Sequence, residues 1–227
     1  MKFALGLVFA VIGIVATPVA QAADLPMEAP MVPVAPPPAL SWTGPYVGVD
    51  VGYMWGSTSV NDNGVVTETG AATNGILGGV LAGYNWQVND LWVVGIEADA
   101  SLANVHGTGT STLPPATPNS YDLNWTANVR GRIGYLIMPD TLLYGAGGLA
   151  LTDLRFTEGS SPAPNLGVTR AGWTVGAGVE HAFSDQLTGR LEYLYADYGT
   201  ANYGPPNDVY KIGFTANVVR AGLSWKF

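Results

Sequence analysis

The residues of this 227-residue chain best equipped for chemistry are nine ionisable side chains set among apolar ones at strand-like spacing: Asp50, Glu97, Asp99, Arg130, Arg132, Glu180, Arg190, Glu192 and Arg220. Carboxylates and guanidiniums in such company can move protons, line an ion path or neutralise one another. Their setting discriminates among these. Each sits where apolar and polar residues alternate, so the charges share one face of an extended strand while Val, Ile, Leu, Trp and Tyr share the other. Rings of a single sign would favour conduction. Here five carboxylates accompany four guanidiniums, and mixed signs favour mutual pairing that fills an interior.

The remaining candidates are weaker. His106 falls in a stretch read as a long loop and His181 beside a short turn; neither has metal-ligand spacing, so no metal site is expected. His106 with Ser101, Ser111 or Asp99 is the one grouping with the residue types of a nucleophile, base and orienter, and it is too loosely specified to predict an enzyme. The glycine-rich stretches 75–79 and 145–148 lack the Lys-Ser/Thr of a phosphate loop and read as places where strands bend and pack closely; no cofactor is expected. With 17 Asp+Glu against 9 Lys+Arg, the chain has no basic surface for nucleic acid.

The elements that must position the charges are strands. Residues 45–55 put Val47, Val49, Val51, Tyr53 and Trp55 against Gly48, Asp50, Gly52 and Met54. Similar alternation runs through 75–87, with Leu77 and Leu81 out of phase, and through 91–101, 169–183 and 187–195. In 121–135, Leu123, Trp125, Ala127, Val129, Ile133 and Tyr135 oppose Asn124, Thr126, Asn128, Arg130 and Arg132. Residues 141–151 are apolar on both faces, which leaves their register open. An eighth segment begins near Ile212 and ends in Val219, Ala221, Leu223, Trp225 and Phe227 on one face with Arg220, Gly222, Ser224 and Lys226 on the other.

The connections alternate in length. Those at 88–90, 138–140 and 184–186 are short; those at 56–74, 102–120, 152–168 and 198–211 are long, with Asp62, Glu68, Asp153, Glu158 and Asp208 as solvated surface charge. This pattern predicts an all-β fold: an eight-stranded antiparallel transmembrane up-and-down β-barrel with short periplasmic turns and long extracellular loops. Trp55, Trp86, Trp92, Tyr135 and Trp225 are the candidates for its interfacial aromatic girdles. A soluble lipocalin-like barrel, apolar inside, is the competing fold. The charge content of only 11%, against about 25% in ordinary soluble domains, and the aromatic strand ends favour the membrane barrel.

Three regions are expected. Lys2, the apolar run to Ala16 and Ala20-Gln21-Ala22 form a secretory signal over 1–22, cleaved before Ala23. Residues 23–41 form a Pro-rich periplasmic arm, and 42–227 the barrel. The absence of cysteine means that stability comes from packing and closure, without disulfides. Inside the barrel, the turn at 184–186 is expected to place Glu180 opposite Arg190 within ion-pair reach, and Arg220 to bridge Glu192 on one side and Asp50 on the other.

The segments Trp42-Thr43-Gly44-Pro45-Tyr46-Val47-Gly48, Gly83-Tyr84-Asn85-Trp86-Gln87, Gly95-Ile96-Glu97-Ala98-Asp99, Val129-Arg130-Gly131-Arg132-Ile133-Gly134-Tyr135 and Arg220-Ala221-Gly222-Leu223-Ser224-Trp225-Lys226-Phe227, in that order, resemble the porin-like outer-membrane proteins of alphaproteobacteria, within the β-barrel superfamily that holds the OmpA-type membrane domain. The resemblance implies a surface antigen of the bacterial outer membrane, in contact with outer-membrane lipid and lipopolysaccharide. It further implies that Trp225 and Phe227 are an insertion signal read by the barrel-insertion machinery. The expected role is structural, contributing to envelope integrity and surface presentation of loops; the alternative is a narrow porin for small solutes or ions.

Overall fold

The structure is a computed structural model in which residues 40–62, 65–110, 118–158, 166–203 and 210–227 are described. The expected signal and nearly all of the arm lie outside these residues. Eight strands follow one another: β1 (Gly44–Asp62), β2 (Val65–Gln87), β3 (Trp92–Thr110), β4 (Pro118–Met138), β5 (Thr141–Glu158), β6 (Leu166–Ala182), β7 (Leu187–Tyr203) and β8 (Tyr210–Lys226). Each pairs antiparallel with the next, and β8 pairs with β1 from Tyr46↔Lys226 to Asp62↔Tyr210. The ring therefore has no edge, and every strand finds partners for its backbone N–H and C=O groups on both sides.

The outer wall between its two ends is apolar. Val49, Val51, Ile76, Val80, Ile96, Val129, Ile133, Leu149, Val175, Leu191 and Leu223 point outward and are exposed. Aromatic side chains bound this zone. Near the short turns lie Trp86, Trp92, Tyr135 and Trp225, with Trp92 packed edge-on to Tyr135 at 5.3 Å. Toward the other end lie Tyr53, Trp55, Trp173, Tyr193 and Tyr195. Trp225 pairs with Val47, and Trp55 is eight residues further along β1. At about 3.3 Å per residue that is roughly 26 Å along the strand. A tilt of about 40° brings this near 20 Å, close to the apolar band of about 25 Å that a membrane barrel presents.

From the level of the second belt onward the interior turns apolar, and beyond the belt the exterior turns polar. Met54, Val60, Leu77, Val105, Tyr121, Leu123, Leu154, Leu194, Tyr198, Ile212 and Phe214 turn inward and pack together, Tyr198 stacking on Phe214 at 5.5 Å. Asn104, His106, Asp122 and Arg155 face outward there. Residues expected to form long loops are thus mostly strand: β1, β2, β3, β4, β5, β6, β7 and β8 continue well past the bilayer zone. The apolar alternation fades there because lipid no longer selects an apolar exterior, yet the ladder hydrogen bonds continue.

β4 shows how one strand serves both zones. Tyr121 and Leu123 face inward, but so do Thr126, Asn128, Arg130 and Arg132, so the inward parity changes between Leu123 and Thr126. A β-bulge interrupts the β4–β5 register at this point. The Asp153 carboxylate fills the gap, accepting hydrogen bonds from the Asn124 and Trp125 backbone N–H groups at 2.9 and 3.0 Å and from Asn124 Nδ2 at 2.8 Å. Leu123, expected on the lipid face, is therefore buried inside. The ambiguous 141–151 segment resolves with Leu142, Tyr144, Ala146 and Ala150 inward and Leu143, Leu149 and Leu151 outward.

Glycine is required where a wall must admit a ring. A Cβ on Gly83 would press on the Tyr46 phenol and come within 2.7 Å of Ile96 O, whereas one on Gly131 would meet nothing within 4 Å. Gly83→Ala is expected to destabilise the barrel by about 1–3 kcal/mol through overpacking, and Gly131→Ala to be neutral or stabilising by about 0.5–1 kcal/mol. Urea unfolding of the two variants in detergent measures the contrast.

Candidate functional site: the charged lumen

Antiparallel alternation sends even-numbered side chains of β1, β5, β6, β8 and lower β7, odd ones of β2 and β3, and even ones of lower β4 into the barrel. All nine charges singled out from sequence lie there, each less than a tenth exposed. They form one connected network. Arg130 NH2 reaches Glu97 Oε1 at 2.6 Å and Asp99 Oδ2 at 3.2 Å, while its NH1 reaches Glu192 Oε1 at 3.0 Å. Arg220 Nε holds Glu192 Oε2 at 2.6 Å and its NH1 holds Asp99 Oδ1 at 2.9 Å and Asp50 Oδ2 at 3.5 Å. Arg190 NH1 meets Glu97 Oε2 at 2.5 Å. Arg132 NH2 meets Glu180 Oε2 at 2.6 Å and its guanidinium lies 4.1 Å from the centre of the Tyr144 ring.

Uncharged groups complete the bonding. Tyr46 OH donates to Glu97 Oε2 at 2.8 Å and accepts from Arg132 NH1 at 3.1 Å. Tyr144 OH donates to Glu192 Oε1 at 3.1 Å, Thr188 Oγ1 to Glu180 Oε1 at 2.8 Å and Asn128 Nδ2 to Asp99 Oδ1 at 2.9 Å. Arg190 NH2 donates to Ser224 Oγ at 3.0 Å. The alternation places Asn128 and Ser224 on the polar face beside Arg130 and Arg220, but it gives none of these five partners a role. Tyr46 and Ser224 share the parity of Asp50 and Arg220, which is the signal that could have found them; Tyr144 lay in the stretch of open register.

Two expectations about partners meet the geometry differently. Arg220 bridges Glu192 and Asp50. Glu180 and Arg190 are opposite in register, but among the described residues they form no ion pair: Arg190 crosses the lumen to Glu97 and Glu180 takes Arg132. A long arginine overshoots a cross-strand neighbour whose Cβ is only about 5 Å away, and finds its partner on the far wall.

Apolar layers close the network above and below. At the short-turn end Trp42, Val93, Leu136, Leu142, Tyr144, Ala146 and Ala182 form a second cluster. Trp42 is 3% exposed, its indole N–H donating to Pro139 O at 3.1 Å and its backbone N–H to Gln87 Oε1 at 3.0 Å. At the other boundary, the cavity among Met54, Leu77, Asn128, Leu194, Tyr198 and Arg220 measures about 10 Å³, the room of a single water. Arg170, a fifth interior arginine, sits higher and donates to Ile212 O.

The histidines form no catalytic group with the residues considered from sequence. His106 is on β3, not in a loop, and faces outward, bonded to Asp122 Oδ1 through Nδ1 and to Asn104 Oδ1 through Nε2, both at 2.6 Å. Ser101 and Asp99 face the lumen on the opposite side of the wall, and Ser111 lies outside the described residues. His181 contacts Thr141 Oγ1 at 3.0 Å. Among the described residues no group of three or more His, Cys, Asp or Glu is placed to hold a metal.

A closed ring with an apolar wall between two aromatic belts and an ion-paired interior defines a transmembrane β-barrel. The family model described as "Outer membrane protein beta-barrel domain" matches residues 7–227, and the chain belongs to that family. It is 36% identical to the 31 kDa outer-membrane immunogenic protein of Brucella melitensis, over 92% of this chain and 93% of that protein. It is also 36% identical to the 22 kDa outer membrane protein of Rhizobium leguminosarum bv. viciae, over 84% and 80%. Among solved structures, outer membrane protein OprG of Pseudomonas aeruginosa shares the fold, with a TM-score of 0.52 at 13% identity, covering 82% of this chain and 96% of that one. The protein is an outer-membrane β-barrel protein, and the relatives named here carry the names of outer-membrane proteins rather than of enzymes.

Removing one member of a buried ion network strands the others without a partner. Glu192→Ala, which deprives Arg130, Arg220 and Tyr144 together, is expected to cost about 3–5 kcal/mol. The urea midpoint of the refolded variant, relative to wild type, measures it.

Proposed function

We propose that this is a structural outer-membrane barrel with a sealed lumen, which contributes to envelope integrity and holds its strand hairpins at the cell surface. The observation that carries the reading is the filling of the interior: ion pairs at its middle, apolar clusters at both ends and a cavity of about 10 Å³ between them. An eight-stranded barrel is just wide enough for side chains to fill it, and here they do. The immunogenic naming of the Brucella relative is consistent with surface display. The outer wall meets outer-membrane lipid, and the outward polar groups beyond the second belt, His106, Asp122 and Arg155 among them, lie where lipopolysaccharide headgroups would be.

The alternative, a narrow porin, makes a different forecast in planar bilayers. The sealed barrel is expected to give no large, stable conductance steps, and such steps would refute it. A deletion strain is expected to gain detergent sensitivity with no defect in solute uptake.

Trp225 and Phe227 are proposed as the signal that the insertion machinery reads. Both rings are exposed, Phe227 at 72%, and Phe227 is tied to the barrel through its backbone N–H to Pro45 O at 3.1 Å. Phe227→Ala is therefore expected to lower the amount of protein in the outer membrane several-fold while the refolded variant keeps the wild-type urea midpoint. Normal outer-membrane levels would count against the signal.

A further inference from the structure

The lumen network is one positive charge short. It contains the carboxylates of Asp50, Glu97, Asp99, Glu180 and Glu192 and the guanidiniums of Arg130, Arg132, Arg190 and Arg220. Arg170 does not make up the difference. Its guanidinium is anchored at Ile212, eight residues beyond Arg220 on β8, roughly 26 Å along the strand. An uncompensated charge in a water-poor interior is too costly to leave standing.

The deficit falls on one group. Glu97, Asp99, Glu180 and Glu192 each hold an ion pair of 3.0 Å or shorter; the ion pair of Asp50 is at 3.5 Å. Its other oxygen, Oδ1, is buried with no hydrogen-bond partner. Ser101 Oγ is buried and unpartnered as well. The two residues flank Gly79, which pairs with Asp50 on one side and Ser101 on the other. That glycine lacks the Cβ that would press on Ser101 Oγ, so no side chain of β2 stands between the two residues.

We propose that the barrel binds a single unit-charge cation at Asp50 Oδ1: either a proton carried on that oxygen, or an alkali-metal ion shared with Ser101 Oγ. Either cation brings the network to neutrality; the alkali-metal ion would in addition give Ser101 Oγ a partner. The charged groups facing Asp50 are Arg220 from β8, Asp99 from β3, and Arg190 and Glu192 from β7, each already engaged with another partner.

The test is carbon-13 NMR of the Asp50 carboxyl in the full, refolded barrel in detergent micelles, with two readouts. At neutral pH, a protonated-type shift that is indifferent to replacing sodium by choline assigns the proton. A shift that moves on that replacement assigns the alkali ion. An ionised-type shift indifferent to sodium, potassium and choline overturns the proposal. Independently, Asp50→Asn, a neutral stand-in for the cation-bound acid, is expected to keep the wild-type urea midpoint, whereas Glu192→Gln is expected to lower it. Equal loss of midpoint in both variants would overturn the proposal.

Discussion

Everything in this molecule follows from the cost of an unpaired backbone amide in hydrocarbon. A strand in a bilayer has no water to turn to, so both of its edges must be paired. The pairing of β8 with β1 meets that demand and makes the sheet a ring. Closing at eight strands sets the bore, and a bore of this width is filled by side chains rather than by water. Because lipid takes the apolar face of each strand, the face left for the interior is polar, and its charges must neutralise one another across the bore. The ion network is thus the consequence of closure rather than an independent feature.

That chain of consequence explains why the interior is layered. Charges occupy the stretch of lumen surrounded by lipid, where alternation forces polar residues inward. Past the second aromatic belt the exterior is wetted, apolar residues no longer belong there, and they move inside around Tyr198 and Phe214. At the opposite end Trp42 and Leu142 form the matching apolar layer. One barrel thus contains two kinds of core, each the complement of the medium outside it.

Strand number, closure and the inward identity of the nine charges were legible in the sequence because a period of two is a local property. What depended on distance along the chain was not. The parity change in β4 is fixed by Asp153, a residue 29 positions away, so Leu123 read as lipid-facing. The partner of Arg190 depends on the stagger summed over all the strands between it and Glu97, whereas local pattern points only to its nearest neighbour in register, Glu180. The hairpin extensions read as loops because their alternation carries small and polar residues on the wetted face. Residues 141–151 were opaque because an apolar interior layer and a lipid-facing exterior choose the same side chains.

The inversion of polarity also gives the barrel a waterline. Moving the barrel toward the periplasm by a few residue pairs would draw Asp122, Asn124 and Asp153 into hydrocarbon; moving it outward would lift Val51 and Ile76 into water. Both displacements cost free energy, and the belts of Trp and Tyr mark the level between them. The depth at which the molecule floats is written into the wall itself, which sets the height of its hairpins relative to the membrane.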